Sequence, residues 1–469
     1  MRYKLFTIII IIILVLECIL FNNYYNNDID YVYHQHLEDS SDETLCGSKK
    51  NCSHLPIVNI NTNNQIIPGE DNDKDNYIIS DIDIYDRKKI NILGQNNKKY
   101  QARIRYRGRS SIKFDKKGYL LKFIDKNNKK ENVKFLGMPK DNEWVLHGPF
   151  IDKTLIRNYM WYNIGQEIMH NAPKTRFLEL YVDNTYKGVY LAVESVSQSE
   201  KSRVKMASIH KNSITTSYLL QLDTDKGNEI TGLNSFSKYT YKMDDPIYLT
   251  IKYPNDEELT EEVKKYIYDD FAAFEKMLYS FDYKEYKKYI DVDSFVNYFI
   301  INEFSQNYDA GYLSTYIYKD IFGKYKMYIW DFNSASNNYY KDFLDKEQYF
   351  EFDKDLWFEM LSKDEDFIEA VIRRYKELRK TYLSEEYLFN YIDETVNYLG
   401  SAIDRNFEVW GYTMDPNYNK FVTNFMPSNH EEAINHLKES IHKRGEWMDQ
   451  NIETLRQYCH ESKNKKYNK

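Results

Sequence analysis

The chain has 469 residues, and its 72 acidic and 64 basic side chains give a formal net charge of −8. This mild acidity argues against a protein that coats nucleic acid, because such a protein needs a concentrated basic face. Hydrophobic residues make up 42% of the chain, while 16 glycines and 9 prolines are too few for a collagen-like or low-complexity protein. The 45 tyrosines are spread through the whole sequence among Asn, Lys and Ile, so we interpret them as a compositional bias rather than a binding face.

The N-terminus carries an apolar segment, Leu5–Phe21, which would be roughly 25 Å long as a helix. Arg2 and Lys4 precede it and acidic residues follow it, which orients the N-terminus inside and the rest of the chain outside. No small-residue cleavage site follows. We interpret residues 1–21 as an uncleaved membrane anchor, with a cleaved signal peptide as the alternative.

Residues 22–75 are rich in Asn, Asp and Ser, which predicts a flexible, solvated stalk. Within it, Cys46 and Cys52 bracket a short polar stretch. This spacing allows a small disulfide loop in an oxidising compartment, and it equally allows two free thiols.

Residues 76–258 are predicted to form a β-rich N-terminal lobe. Alternating apolar and polar residues with β-branched content predict a twisted antiparallel sheet over residues 77–137. A helix is predicted from Asp152 to about His170, and Asp183-Asn184 marks the turn of a hairpin between two further strands.

Residues 259–458 are predicted to be mainly helical, with a basic tail at 459–469. Helices are predicted from about Leu259, over residues 364–382, over about 384–410 and over 430–458. A β-hairpin interrupts them, with its turn at Phe322-Gly323. The fold class is therefore α+β, with a β-rich N-terminal lobe, a helix-rich C-terminal lobe and a cleft between them as the expected ligand site.

A basic, glycine-containing loop joins two of the predicted strands. A loop of this kind can present backbone N–H groups and positive charge to phosphates, although a solvated basic turn has the same composition. The loop and its flanks contribute Arg107, Gly108, Ser110, Ser111, Lys116, Lys117 and Lys122.

Two aspartates flank the predicted hairpin of the C-terminal lobe. Asp309 lies in the loop before it, and Asp331 follows it, with Asn333 two residues further on. Phosphoryl transfer needs one carboxylate that accepts the proton of the attacking hydroxyl and another that holds magnesium beside the phosphates. Each aspartate alone could equally serve as a turn or cap residue.

Eight segments in order resemble the spore coat protein H (CotH) kinases, a family with an atypical, bilobed protein-kinase-like fold. The resemblance covers about residues 77–452. The segments read RYRGRSS with GYLLKF, DKTLIRNYMW, YKGVYLAVE, YLLQLD, INEFSQNYDAGYLSTYIYKD, YIWDFNSASNN, IDRNFEVW and HKRGEWMDQNI.

The resemblance implies transfer of the γ-phosphate of ATP, with Mg²⁺, to Ser or Thr of a protein substrate such as a spore coat or cell-surface protein. In this comparison Asp309 is the catalytic base, and Asp331 and Asn333 are the metal ligands. Lys122 contacts the nucleotide phosphates, and Glu194 orients Lys122 or contacts the nucleotide. The remaining nucleotide-binding residues are Arg107, Gly108, Ser110 and Ser111.

The sequence departs from the family pattern at several positions. Asn337 stands where glycine is common, Gln221 where an acidic residue is common, and Ser314 where ordinary protein kinases carry a metal-binding Asn. The alternatives to a kinase are an inactive nucleotide-binding or adhesin-like protein on the same fold, or a structural coat protein.

The basic and polar residues outside these motifs are interpreted as structural. Asp152, Arg157 and Asn158 could order the cleft or could cap a helix and lie on its surface, and we favour the second interpretation. Arg444 is interpreted as solvated or ion-paired, with docking of an acidic substrate as the alternative.

Overall fold

The computed structural model of the chain describes residues 34–38, 46, 51–69, 76–95, 97–210, 213–224, 227–230, 247–339, 350, 356–418 and 420–460. The predicted anchor at residues 1–21 and residues 461–469 of the predicted tail lie outside this part of the chain. Of the helices in the described part, none is both long and apolar enough to cross a membrane.

The described strands fall into a barrel, a second sheet and two short pairs. Their bounds are β1 (Cys52–Ser53), β2 (Ile57–Asn61), β3 (Ile78–Tyr85), β4 (Asn91–Ile92), β5 (Lys98–Arg107), β6 (Gly118–Ile124), β7 (Glu143–His147), β8 (Thr175–Val182), β9 (Thr185–Glu194), β10 (Gln198–Ser199), β11 (Val204–Lys205), β12 (Tyr218–Asp223), β13 (Tyr248–Tyr253), β14 (Thr315–Lys319) and β15 (Tyr325–Tyr328).

The described helices are α1 (Arg157–Met169), α2 (Glu261–Leu278), α3 (Val292–Ser305), α4 (Leu356–Leu361), α5 (Glu365–Leu378), α6 (Glu385–Leu399), α7 (Ser401–Trp410) and α8 (His430–Asn451). The Thr260 side chain caps α2 by accepting a hydrogen bond from the backbone N–H of Val263. The single helix predicted over 384–410 is wrong, since Gly400 adopts a φ of 47° and separates α6 from α7.

Seven strands close into a barrel in the order β2-β3-β5-β6-β7-β9-β8. Alternation along β5 decides which side chains face inward. Ala102 and Ile104 are buried in the barrel interior, while Arg103, Arg105 and Arg107 alternate with them and face outward.

The barrel extends one prediction and corrects another. The antiparallel sheet predicted for residues 77–137 is confirmed in β3, β5 and β6, and its closure into a barrel, which the sequence did not predict, comes from β2, which pairs in parallel with β8. The predicted stalk is wrong for residues 57–61, since Val58 and Ile60 of β2 are fully buried in the barrel interior. Asparagines at 59 and 61 gave this short strand a polar composition that concealed its alternation.

Part of the same N-terminal region is held by a disulfide between Cys46 and Cys52. Cys52 also pairs with Ile92 in the short β1–β4 ladder. Of the two alternatives left open by the sequence, the structure therefore has the disulfide.

The second sheet has the order β13-β12-β14-β15 and combines strands from both predicted lobes. The predicted hairpin is confirmed as β14 and β15, with Tyr316 paired to Tyr328. Strand β12 pairs with β14, so the predicted boundary at residue 258 falls inside one sheet. A continuous apolar core joins this sheet, the outer face of the barrel, α1 and the C-terminal helices.

Candidate active site

Three aspartates lie close together beyond the ends of strands β12, β14 and β15, on one side of the second sheet. Asp223 ends β12, Asp309 lies in the loop that leads into β14, and Asp331 follows β15. Leu222 pairs with Thr315 at the start of β14, and Tyr316 pairs with Tyr328 at the end of β15. Because neighbouring strands run antiparallel, these three chain positions are brought to the same edge.

The loop that carries Asp309 is fixed at both ends. Asn307 donates a side-chain hydrogen bond to Asn302 Oδ1 of α3 at 3.0 Å and to the Trp330 carbonyl at 3.3 Å. The Asp309 carbonyl accepts a hydrogen bond from the Leu313 N–H at 2.8 Å. The loop therefore connects the end of α3 directly to the backbone that precedes Asp331.

The carboxylates perturb one another. Burial, followed by the negative charges of Asp331 and Asp223, raises the pKa of Asp309 to about 7. Burial also raises the pKa of Asp331, and the nearby Arg107 guanidinium opposes this shift. A carboxyl group whose pKa is close to neutral pH is suited to accept a proton under physiological conditions.

The segment after Asp331 is a tight loop of left-handed residues. Asp331, Ser336 and Asn337 have φ values of 56°, 52° and 57°. The Asn333 side chain donates a hydrogen bond to Asp331, and the Asn333 carbonyl accepts one from the Asn338 side chain at 2.8 Å. Asn337 thus adopts the left-handed conformation that its place in the family pattern, where glycine is common, predicts.

Helix α1 holds this metal-loop candidate, residues 331–338, through its buried polar face. Tyr162 Oη accepts a hydrogen bond from the Asp331 N–H at 3.0 Å, and Asn158 Oδ1 accepts one from the Phe332 N–H at 2.7 Å. Arg157 donates from Nε to the Ala335 carbonyl at 2.9 Å.

Of the two interpretations of Arg157 and Asn158, these contacts exclude the favoured one, in which both lie on a helix surface. Arg157 is only 2% exposed, and its guanidinium also pairs with Asp152 at 2.5 Å. Asp152 precedes the helix by several residues and accepts the Arg157 N–H at 3.0 Å. Asp152 and Arg157 are therefore buried, and their contacts connect the start of α1 to the metal-loop candidate.

Arg107, on the outward face of the barrel, brings a positive charge to the same region, and Lys122 lies on that outward face as well. Arg107 lies with its guanidinium carbon 5.7 Å from the centre of the Trp330 ring, next to Asp331 in sequence. Lys122 Nζ lies 3.2 Å from Glu143 Oε2 on the neighbouring strand. Burial lowers the pKa of Lys122, but Glu143 and Tyr77 outweigh this effect, so the pKa is raised overall and the charged form is kept.

The predicted link between Glu194 and Lys122 is not what the structure contains. Lys122 of β6 pairs with Glu143 of β7, whereas Glu194 of β9 pairs with Trp144, the next residue of β7. Its Oε2 accepts the Lys174 N–H at 3.1 Å, and its Oε1 has no hydrogen-bond partner in the described part of the chain. Burial raises the pKa of Glu194. Glu143 takes the pairing role that was predicted for Glu194.

The glycine loop, residues 108–117, follows Arg107. Gly108 has a φ of 132°, and a Cβ there would collide with Ser111 Oγ, so glycine is required. Ser110 is exposed, and Ser111 begins a short 3₁₀ turn that buries Ile112. Lys116 was predicted to flank a phosphate site, but it is 1% exposed and its ammonium is enclosed by protein.

The sequence matches the model of the CotH kinase protein family over residues 104–448, which is most of the chain. The chain belongs to the CotH kinase family. No curated protein matches it.

Kinases of any family use a nucleotide and a divalent cation, and the donor atoms in this CotH kinase domain fit such a cation. Asp331 and Asn333 offer carboxylate and amide oxygens, which Mg²⁺ prefers. No group of three His, Cys, Asp or Glu among the described residues could hold a metal ion. Magnesium at kinase sites is usually held by one or two carboxylates together with substrate phosphates and water, so a larger protein cluster is not required.

Sequence reasoning missed Asp223 and Glu143. Asp223 ends the YLLQLD segment, but attention to Gln221 left its carboxylate unassigned. Gln221 in fact donates a hydrogen bond to Asp223 Oδ2 at 2.9 Å and so orients it. Glu143 could have been found by pairing GYLLKF with EWVLH in antiparallel register, which aligns Lys122 with Glu143.

Proposed function

We propose that this CotH kinase domain is an atypical serine/threonine protein kinase that transfers the γ-phosphate of ATP to a protein substrate, with Mg²⁺. The observation that supports the proposal best is the convergence of Asp309 and Asp331 at one sheet edge, facing Arg107 of the barrel. In this proposal the barrel and the helical region are the two lobes of a kinase-like fold.

Asp309 is the proposed catalytic base. Its pKa of about 7 allows it to accept the proton of a Ser or Thr hydroxyl at neutral pH. The hydrogen bonds of Asn307 to α3 and to the Trp330 carbonyl hold the loop, so the carboxylate keeps a fixed position relative to Asp331. A fixed base accelerates transfer by positioning the hydroxyl for in-line attack.

Asp331 and Asn333 are the proposed magnesium ligands. Mg²⁺ bound there would neutralise phosphate charge as the γ-phosphate is transferred. The three contacts from α1 to residues 331–335 keep the two ligands in place. Cation binding would also lower the pKa of Asp331, which burial raises in its absence.

Lys122 and Arg107 are the proposed phosphate-binding cations. Glu143 fixes the Lys122 ammonium at 3.2 Å, which keeps the lysine charged and directed along the outer face of the barrel. Ser110, Ser111 and the tight turn at Gly108 are proposed to line the nucleotide cleft beside Arg107. Of the two roles predicted for Glu194, only a contact with the nucleotide is kept in this proposal.

We further propose that residues 1–21 anchor the protein in a membrane and that the kinase region lies outside the cytoplasm, at the cell surface or in the spore envelope. The flanking charges of the Leu5–Phe21 segment support this orientation. The partners would be a protein with Ser or Thr acceptors and the membrane, without nucleic acid. Protease digestion of intact cells tests the orientation, because a cytoplasmic domain would be protected.

The transfer reaction is tested by incubating the purified chain with γ-labelled ATP, Mg²⁺ and either a cell-envelope extract or a generic Ser/Thr substrate. We expect label on protein with the wild type and a loss of about 10³-fold or more with Asp309→Asn. Asp404→Asn, an exposed aspartate of α7, is the matched control and keeps wild-type activity.

The two alternatives give different results in the same experiment. Equal label with Asp309→Asn, or no label at all, would contradict the kinase proposal. If ATP and Mg²⁺ then still raised the melting temperature, the chain would be an inactive nucleotide-binding protein. If they did not, a structural coat protein would be the better description.

A further inference from the structure

Lys116, on the glycine loop, is a buried lysine whose partners belong to other elements. Its ammonium donates to the Val189 carbonyl of β9 at 2.7 Å and to Asn406 Oδ1 of α7 at 2.8 Å. It also lies 5.1 Å from the centre of the Tyr190 ring. Lys116 is 1% exposed and is enclosed by these partners, so a phosphate cannot reach its ammonium.

Asn406 is the point where three elements meet. The same Oδ1 that accepts from Lys116 also accepts the Val189 N–H at 3.1 Å. This close approach depends on Gly188, since a Cβ there would lie 2.5 Å from Asn406 Oδ1. Asn406 is 1% exposed, so water cannot replace it as the acceptor for the lysine.

Two more contacts join the glycine loop to the segment that follows α7. Tyr412 Oη donates to Asp115 Oδ2 at 2.7 Å. The Phe114 ring packs against Phe421 with centroids 4.8 Å apart, and both also contact Phe150. Asn406, Tyr412 and Phe421 together form what we call the C-terminal brace of the loop.

The brace fixes the far end of a loop whose near end carries the proposed nucleotide contacts. Gly108, Ser110 and Ser111 begin the loop, and Lys117 at its end donates from Nζ back to the Ile112 carbonyl at 2.7 Å. The loop is therefore a short closed unit, and displacement of Lys116 would shift the Ser110–Ser111 turn.

We propose that Asn406 is a positioning residue for nucleotide binding, acting through the Lys116 ammonium to hold the glycine loop against the cleft. This inference rests on the proposed kinase function, because it assigns the loop to ATP. It predicts that loss of the Asn406 acceptor weakens ATP binding and leaves the chemical step, which depends on Asp309 and Asp331, nearly unchanged.

The test compares Asn406→Leu, which keeps the side-chain size without the acceptor, with Asn406→Asp, which keeps an oxygen at Oδ1. With Asn406→Leu we expect the KM for ATP to rise about tenfold and kcat to change less than about twofold. With Asn406→Asp we expect a KM within about threefold of wild type, since a carboxylate can accept from Lys116. Glu408→Gln, at an exposed position of α7, is the control and should match the wild type.

A second readout does not depend on ATP turnover. Arg109 and Lys113 of the glycine loop are exposed, and trypsin cleaves after both residue types. We expect Asn406→Leu to be cleaved in the loop several times faster than the wild type under native conditions, because a displaced loop opens more often. If Asn406→Leu does not fold, Tyr412→Phe removes the milder Asp115 contact, with an expected rise of about threefold in KM.

The outcomes separate the two proposals. A wild-type chain that binds ATP no more tightly than Asn406→Leu does, or a variant with lowered kcat and unchanged KM, would overturn the positioning role alone. A wild-type chain that neither binds nor uses ATP would overturn the kinase function and, with it, the assignment of the loop to the nucleotide. Faster trypsin cleavage with tenfold weaker ATP binding would support both.

Discussion

Two loops flank the candidate active site, and each is held by a buried basic side chain. The glycine loop is held by its own Lys116, whose partners are the neutral oxygens of Val189 and Asn406. The metal-loop candidate is held by Arg157 of α1, which also pairs with the buried carboxylate of Asp152. Loss of Lys116 leaves unpaired neutral acceptors, whereas loss of Arg157 leaves an unpaired buried charge.

We call the buried contacts of Lys116 and of Arg157 the two clamps. Their geometry is similar, but their loss should lower the free energy of unfolding by different amounts. A neutral acceptor without its donor costs about 1–3 kcal/mol, while a carboxylate stripped of its buried partner costs about 3–5 kcal/mol. The four predictions that follow test this comparison, beginning with the largest effect.

Arg157→Met should have the largest effect on stability. It leaves the Asp152 carboxylate buried without its partner and frees the Ala335 carbonyl, so we expect a loss of about 3–5 kcal/mol in the free energy of unfolding. Urea denaturation followed by circular dichroism measures it. Arg373→Met, at an exposed position of α5, is the control with an expected change under about 0.5 kcal/mol.

Adding Asp152→Asn to Arg157→Met should recover part of that loss, because the unpaired charge is removed. An additive double variant would contradict the view that Asp152 and Arg157 are coupled.

Lys116→Met should destabilise less, by about 1–3 kcal/mol at pH 7. Burial, followed by repulsion from Lys153, lowers the pKa of Lys116 well below its ordinary value of 10.5. The unfolded chain therefore binds a proton that the folded chain releases between those two pKa values, and wild-type stability rises with pH in that interval. Lys116→Met lacks this gain, so its deficit should grow from pH 7 to pH 9.5.

The two clamps respond differently to pH. Arginine side chains in general do not titrate in this range, so the deficit of Arg157→Met should be the same at both pH values. Lys113→Met, on the exposed face of the glycine loop, controls for the loss of a lysine. If Lys116→Met lowers the free energy of unfolding by the same amount at every pH, the pKa of Lys116 is not lowered in the folded protein.

Asp309→Asn should stabilise the metal-free protein at pH 8 by about 1–2 kcal/mol, which is part of the roughly 4 kcal/mol that the full pKa shift represents, because Asp309 is only half-buried and solvent screens its charge. Burial and the neighbouring aspartates raise the pKa of Asp309 from 3.8 to about 7, so wild-type stability falls as pH rises through that range. The amide removes this cost, and the advantage of the variant should vanish near pH 4. Thermal denaturation in EDTA at pH 4, 6 and 8 measures it, and equal advantages at all three would refute the shifted pKa.

Asn337→Gly should have the smallest effect, within about 0.5 kcal/mol. Asn337 has a φ of 57°, a conformation that Asn tolerates and Gly adopts freely, but the substitution loses the hydrogen bond that Asn337 accepts from the Asn424 side chain. A loss above about 1.5 kcal/mol would show that the Asn424 contact, rather than the backbone conformation, determines this loop.

Local patterns predicted much of the fold and the central pair of the site. The hairpin from β14 to β15 follows from alternation and a glycine turn, and it correctly set Asp309 and Asp331 on either side of one structural unit. Strand β2 was missed because asparagine content outweighed a five-residue alternation.

The sequence could not predict contacts between side chains that lie far apart in the chain. The contacts of Arg157 with Ala335 and of Lys116 with Asn406 span 178 and 290 residues. Surface and buried positions of α1 cannot be separated by periodicity, because the helix is covered nearly all round and its polar residues find buried acceptors. The identity of the residue that pairs with Lys122 depended on strand register, which is set by the closed barrel.

Strand β2, which closes the barrel by pairing with β8, limits where the protein can be truncated. The family match begins at residue 104, inside β5, yet β2 and β3 are complete before that point. A fragment cut at residue 104 would lose both strands and residues 98–103 of β5, leave unpaired edges on β8 and on the rest of β5, and open the barrel interior to water. We expect such a fragment to aggregate, so a fragment made for solution work should begin before residue 46 and retain the Cys46–Cys52 disulfide.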